Sequence, residues 1–365
     1  MIAYPLESIS LEKAQEFQFR WIDTIMQHFS GYELLTQGDL GVHKAGNIPQ
    51  TTRQVEKVIA QFFNCEEAVL VRKSGTGAIF EALSSLFKLK QSRNVFVHTA
   101  PIYSTTQTSF EQLNATTICA DFNDLDTLEQ TIQRHSETKI ALVQYTRQQL
   151  SDSYDIGKVI SLFKRYGVAV VTDDNYAVMK VEHIGSQLGA DVSCFSLFKL
   201  LGPQGVGCVV GSKAVIDVIR NYHYSGGSQV QGFEALKALR GLVYAPVALA
   251  ISAQQSEKIK DCLNQGLIEE IKQAVIVNAQ SKVVLVEFKY PIAKEVLVEA
   301  EKLGALPHPV GSESEYEFVP LFYKVSGTML QGDPELANYW IRINPMRCGC
   351  DTILRVLQQA IKKVI

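Results

Sequence analysis

Between about residue 66 and residue 222 the chain alternates short apolar runs with helix-spaced patterns. Residues 68–71, 95–98, 116–119, 140–144, 168–171 and 206–210 read as buried strands. Between them lie helical patterns such as Ile79, Leu83 and Leu86, residues 159–166, and residues 214–222. A chain that alternates in this way predicts a mostly parallel sheet sandwiched by helices, an α/β class. In such sheets ligands bind outside the carboxyl ends of the strands. The residues that directly follow each strand are therefore the first place to look for chemistry.

The flanks read differently. Residues 1–50 look like an N-terminal arm. Residues 11–29 carry apolar residues at helical spacing (Ala14, Phe17, Trp21, Ile22, Ile25). Loop signals follow at 38–41 and 46–50. Such an arm is expected to lay its apolar face on something else, here a second subunit. Residues 52–63 read as a helix with Val55, Ile59 and Phe62 on one face. Residues 51–250 form the large domain, which closes on a long helix running from 234 through 249. The boundary is expected near 245–255. Residues 251–365 form a smaller C-terminal α+β domain, with strands at 283–288 and 339–343 and helices at 293–302 and 352–364.

Bulk composition excludes several classes. Hydrophobic residues make up 46% and charged residues 20%, ordinary for a soluble globular chain. The formal net charge of -3 gives no electrostatic case for nucleic acid or an anionic membrane. The first residues lack a basic segment followed by an apolar run, and no uninterrupted apolar run approaches membrane-spanning length. Seven scattered cysteines suit reduced thiols in a cytoplasmic protein. Cys348-Gly349-Cys350 is the one close pair, and no second Cys or His pair stands at ligand spacing, so no metal is expected.

Four places at strand ends carry candidate chemistry. Lys199 sits among Phe195, Leu197, Phe198, Leu200 and Leu201, just before Gly202. A lysine in apolar company loses charge on burial, and a neutral amine is a nucleophile that can hold an aldehyde. The plainer alternative is a surface lysine that snorkels at a strand end. Ser74-Gly75-Thr76-Gly77 separates a strand from a helix and exposes backbone N–H groups to an anion. As a dinucleotide fingerprint it lacks the third glycine, since Phe80 stands there, and residues 91–94 offer no acid for a ribose. Tyr103 follows a strand and could stack on a planar ring or simply pack. Asp173 and Asp174 end another strand. A phosphate cradle, an aromatic, a carboxylate and a lysine together describe a pocket for pyridoxal 5'-phosphate.

Here the chain resembles the fold-type I pyridoxal-phosphate-dependent enzymes, an aminotransferase-like superfamily. Thr172-Asp173-Asp174-Asn175-Tyr176 looks like their aspartate-x-x-tyrosine segment, and Ser193-Cys194-Phe195-Ser196-Leu197-Phe198-Lys199 like their serine-x-x-lysine segment. The resemblance implies that Lys199 forms the Schiff base, that Asp173 faces the pyridine nitrogen and that Tyr176 bonds the ring phenolate. It further implies that Ser74, Gly75, Thr76, Ser193 and Ser196 bind the phosphate and that Tyr103 stacks on the ring. Asp174-Asn175-Tyr176 also resembles the aspartate-asparagine-threonine of the cysteine/methionine-metabolism branch, so Asp174 competes with Asp173. The segment from Gly46 to Glu56, Pro101-Ile102-Tyr103 and Glu234 to Leu242 are similar to that branch too, and the pattern is similar to the YhfS-like group beside it. Arg342 lies where the superfamily clamps a substrate carboxylate, a contact suited to a guanidinium fork; a surface arginine is the alternative.

Two departures stand out. Gln144-Tyr145-Thr146-Arg147-Gln148 replaces a common asparagine-proline pair, so Arg147 either binds a second carboxylate or pairs on the surface. The arm's tyrosine-x-arginine phosphate contact is missing, with His43 and Lys44 only loose substitutes. The resemblance implies an enzyme acting on an amino acid through a quinonoid carbanion, by elimination or replacement (a lyase or transferase), with aminotransferase as the alternative. A homodimer or homotetramer with its active site near the subunit interface is the implied assembly. A non-catalytic regulatory protein on the same fold is a further reading, and a nicotinamide oxidoreductase would need the missing glycine and acid.

Overall fold

Strand and helix alternate through the chain as the apolar periodicity requires. The computed structural model describes residues 3–41, 48–147, 149–277, 282–311 and 313–365. The candidate residues His43, Lys44, Gly46, Asn47 and Gln148 lie outside this set. The chain divides into two units, each with its own packing. One comprises Glu12–Thr146 with Ser153–Pro246, and the other Met1–Leu11, Arg147–Asp152 and Val247–Ile365.

The larger unit begins with α1 (Leu11–Met26), α2 (Gln50–Phe62), β1 (Glu67–Arg72), α3 (Ser74–Lys90) and β2 (Asn94–His98). It continues through α4 (Ser104–Leu113), β3 (Thr116–Ala120), α5 (Leu125–Arg134), β4 (Ile140–Gln144) and α6 (Ile156–Arg165). Then come β5 (Ala169–Asp173), β6 (Val192–Ser196), β7 (Val206–Gly211), α7 (Lys213–Tyr222) and α8 (Gly232–Asn264). The strands form one seven-stranded sheet in the order β1-β7-β6-β5-β4-β2-β3. β7 runs antiparallel to both neighbours, and the other pairings are parallel. Central strands β4 to β7 are buried along nearly their whole length, as a sheet covered on both faces demands. One face packs Val71, Val97, Val171 and Val209 against Leu83 of α3 and Ile216 of α7.

The arm is not a free appendage. Ala14, Phe17, Trp21 and Ile25 of α1 are buried within the chain, and Trp21 stacks on Phe62 of α2 with centroids 3.6 Å apart. The expectation that this face waits for a second subunit is corrected: α2 supplies the apolar partner. Ile22, placed on the buried stripe by periodicity, is exposed.

The smaller unit holds β8 (Ile271–Val277), β9 (Val283–Phe288), α9 (Ala293–Lys302), β10 (Leu321–Lys324), α10 (Gly327–Gly332), α11 (Leu336–Tyr339), β11 (Trp340–Asn344) and α12 (Cys350–Val364). Its four strands are antiparallel in the order β10-β11-β9-β8. One face carries Val284, Val286, Ile341 and Ile343 against α9 and α12. The other carries Leu285, Tyr323 and Trp340, with Ala3 and Leu150 packed on it.

α8 is long and apolar in its middle. The stretch Gly226–Asn264 contains an 18-residue window apolar and long enough to cross a membrane, and 61% of that window is buried inside the protein. That burial is the behaviour of a core helix. The unit boundary falls inside this helix, at Pro246.

Glu56 shows how the β1 edge is fixed. Its fully buried carboxylate accepts from Leu70 N at 2.9 Å and from Arg53 and Arg220 at 3.1 and 3.4 Å. Burial nevertheless pushes its pKa up to about 8. A raised folded-state pKa stabilises most below the unfolded value near 4.5, and that contribution fades as pH rises through about 8. Glu56→Gln keeps an acceptor for Leu70 and should flatten the pH dependence of the melting temperature over that window. Glu56→Ala should cost about 2 kcal/mol by orphaning Leu70 N–H. Equal pH slopes in wild type and Glu56→Gln would contradict this.

Candidate active site

Three strand ends of the larger unit meet at one side chain. Asn175, two residues beyond β5, donates through Nδ2 to Asp173 Oδ1 at 2.7 Å, and its backbone N donates to the same oxygen at 3.1 Å. Its Oδ1 accepts from Ser196 N at the end of β6, at 2.9 Å. Its amide also lies against Gly75, where any Cβ would collide with it. One side chain thus ties the carboxylate at the end of β5, the end of β6 and the first turn of α3.

That first turn is made at a conformational cost. Lys73 and Ser74 both adopt left-handed backbone, at φ 67° and 54°. Ser74 N donates to Gly205 O at 3.1 Å, and β7 passes so close beneath that Gly207 has no room for a Cβ against Ser74 O. The N–H groups of Gly75 and Thr76 open α3 and have no helical acceptor, so they point out of the turn.

Lys199 lies in a short 3-10 turn, Phe198–Leu200, directly after β6. It is half-buried rather than enclosed, which corrects the sequence expectation: the turn lifts it past the strand end. Its Nζ stands 4.5 Å from the ring centroid of Tyr176. Asp173 is 6% exposed. Burial raises its pKa, while the Asn175 hydrogen bonds and the Lys199 charge hold it back.

Asp174 faces elsewhere. It is fully buried, accepts from Gly185 N at 2.9 Å, and lies among the Thr172 and Ser193 hydroxyls; burial pushes it up to about 6. Ser193 belongs to the same cluster, 3.0 Å from Thr172 Oγ1 and accepting from Ser186 N at 2.7 Å. Reading Ser193 together with Ser196 is therefore corrected. Three residues apart on one strand, they point to opposite faces.

Tyr103 is exposed at the head of α4, beyond the end of β2. In the smaller unit Arg342 is 5% exposed on β11, so it is no surface arginine. Its Nε donates to Lys324 O at 2.8 Å and its guanidinium lies 4.1 Å from the Tyr323 ring centroid. Tyr323, opposite it on β10, is pushed up to about 12 by burial. Arg147 is also buried, with Nη2 donating to Tyr4 O at 2.8 Å, which removes the surface-pairing alternative.

Sequence reading missed Asn175 and Lys180. The first stands in the segment similar to aspartate-asparagine-threonine, a resemblance that gives it no role of its own. The second is a lysine beside the apolar run Ala177-Val178-Met179, a pattern like that of Lys199. Asn175→Ala should orphan Ser196 N–H and loosen Asp173, costing about 2 kcal/mol in denaturant unfolding. A loss below about 0.5 kcal/mol would show that Asn175 does not hold the three ends together.

Residues 20–238 match the aminotransferase class-V family, and residues 257–357 match the YhfS-like C-terminal domain. The uncharacterized protein YhfS of Escherichia coli is 50% identical over 364 residues, covering 100% of both chains. Its crystal structure, described as that of a pyridoxal-5'-phosphate-dependent protein, superposes with a TM-score of 0.97 over 100% of both chains. A cystathione gamma lyase from Micromonospora echinospora shares the fold at 14% identity, with a TM-score of 0.74 over 95% of this chain and 99% of that one. A probable cysteine desulfurase of Mycolicibacterium paratuberculosis is 28% identical over 79 residues, 22% of this chain and 12% of the relative. The chain belongs to the class-V aminotransferase family of the fold-type I pyridoxal-phosphate superfamily, and within it to the YhfS-like group.

Proposed function

We propose that this chain is a pyridoxal-phosphate-dependent enzyme acting on an amino acid by elimination or replacement, a lyase or transferase. The observation that carries the reading is the meeting of Lys199, Asp173 and Tyr176 beside the first turn of α3. The residues present fit the cofactor. A glycine-lined turn with outward N–H groups suits a phosphate, and a buried carboxylate beside an amine suits a protonated pyridine ring. When bound, pyridoxal phosphate supplies an aldehyde and an electron-accepting ring.

The chain's own groups divide the remaining work. Lys199 would hold the aldehyde. Ser74, Gly75, Thr76 and Ser196 would take the phosphate, Asp173 the pyridine nitrogen, Tyr176 the phenolate and Tyr103 a ring face. Asn175 fixes the Asp173 carboxylate by two hydrogen bonds, so no reorganisation is needed when positive charge sits opposite it. Arg342 would bind the substrate carboxylate with its fork, steadied by the Tyr323 ring. The Lys199 amine, when unprotonated, accepts the α-proton at Nζ and returns it to the leaving group or product. Elimination or replacement is favoured by the segments similar to the cysteine/methionine branch. Transamination is the second reading, favoured by the class-V match over residues 20–238.

The test is the visible spectrum of the purified protein with pyridoxal phosphate while a panel of amino acids is titrated in. A band that shifts with one amino-acid class supports the reading. Keto-acid release without an acceptor then marks elimination, and dependence on a keto-acid acceptor marks transamination. Lys199→Ala should lose the borohydride-reducible adduct; an adduct surviving on another lysine overturns the assignment. Asp173→Asn should retain cofactor and lose turnover by about a hundredfold or more. If Asp174→Asn does so instead, the pyridine partner is Asp174.

A further inference from the structure

Lys180 is a buried lysine that the reaction described above does not use. It is 7% exposed, and its Nζ stands 5.5 Å from the centroid of the Tyr176 ring. The same ring carries the Lys199 amine at 4.5 Å. An aromatic face is electron-rich and attracts cations within about 6 Å. Two lysines from different segments, one after β5 and one after β6, therefore converge on one tyrosine.

The turn that delivers Lys180 is built under strain. Tyr176 and Met179 both take left-handed backbone, at φ 66° and 65°. Each such residue costs of order 1 kcal/mol and persists only where its surroundings over-determine it. Two anchors do so here. Thr146 Oγ1 donates to Asn175 O at 3.2 Å, and Trp21 Nε1 of α1 donates to Met179 Sδ at 3.4 Å. Trp21 is itself locked by its stack on Phe62. The Asn175 carbonyl before Tyr176 and the Met179 side chain after it are thus held, and the Lys180 Nζ lies near the ring.

We propose that Lys180 is a positioning residue: its ammonium holds the Tyr176 ring in the orientation that faces Lys199. The proposal rests on the reading of Lys199 and Tyr176 as cofactor-facing groups. It assigns Lys180 an effect on cofactor binding that acts through Tyr176, which separates it from a lysine that merely helps the turn to fold.

A double-mutant cycle tests it, using Lys180→Met, Tyr176→Leu, the double variant and Lys180→Arg. Two readouts are taken: pyridoxal-phosphate affinity by absorbance titration of the apoprotein, and the melting temperature of the apoprotein. Lys180→Met should weaken affinity about tenfold where Tyr176 is present and less than about twofold in the Tyr176→Leu background. Lys180→Arg, which keeps the cation over the ring, should stay within about threefold of wild type. The same loss in both backgrounds, or no loss with Tyr176 present, overturns the proposal. If wild type shows no cofactor band, the proposed function fails, and the melting cycle then decides alone. Coupling between positions 180 and 176 in the apoprotein supports the positioning contact, and additive melting shifts overturn it.

Discussion

Asn175 holds together the end of β5, the end of β6 and the first turn of α3. Its amide donates to the Asp173 carboxylate, accepts from the Ser196 backbone and fills the space that a side chain on Gly75 would need. A buried carboxylate is costly unless its oxygens are paired. Asn175 supplies that pairing from two residues away while joining β5 to β6. A Cβ at residue 75 would displace this hydrogen-bonded amide, which favours glycine there. Carboxylate, strand end and the first turn of α3 are therefore one mechanical unit.

That unit is loaded with strain. Lys73, Ser74 and Tyr176 all occupy left-handed backbone, and each borders a proposed cofactor contact. Strain of this kind is sustained by the rigid packing beneath it. Here the packing is the fully buried set of strands β5, β6 and β7, with α3 lying across them. α1 extends the support through the Trp21 contact with Met179. The segment that reads as an arm is thus part of the scaffold behind Tyr176.

Asp173 and Asp174 show how one strand end separates two chemically identical groups. Both are buried, and burial raises both. Asp173 shares its surroundings with Lys199, whereas Asp174 is surrounded by hydroxyls and the Gly185 amide. Successive residues leave a strand on opposite faces, so only one of the pair can share the side of the sheet edge that carries the amine. The same rule separates Ser193 from Ser196.

The sequence by itself determined the layered α/β architecture, because the alternation of apolar runs and helical spacing leaves few other ways to bury those strands. Two consecutive segments, around Asp173 and Lys199, also carried the superfamily resemblance. What the sequence could not decide was facing and partnership. Whether Asp173 or Asp174 shares space with Lys199, and whether Ser193 joins Ser196, turns on strand register. That α1 packs on α2 and that an apolar stretch within Gly226–Asn264 is a core helix are long-range facts. They depend on residues far apart in the chain meeting in space, and local periodicity carries no information about such meetings.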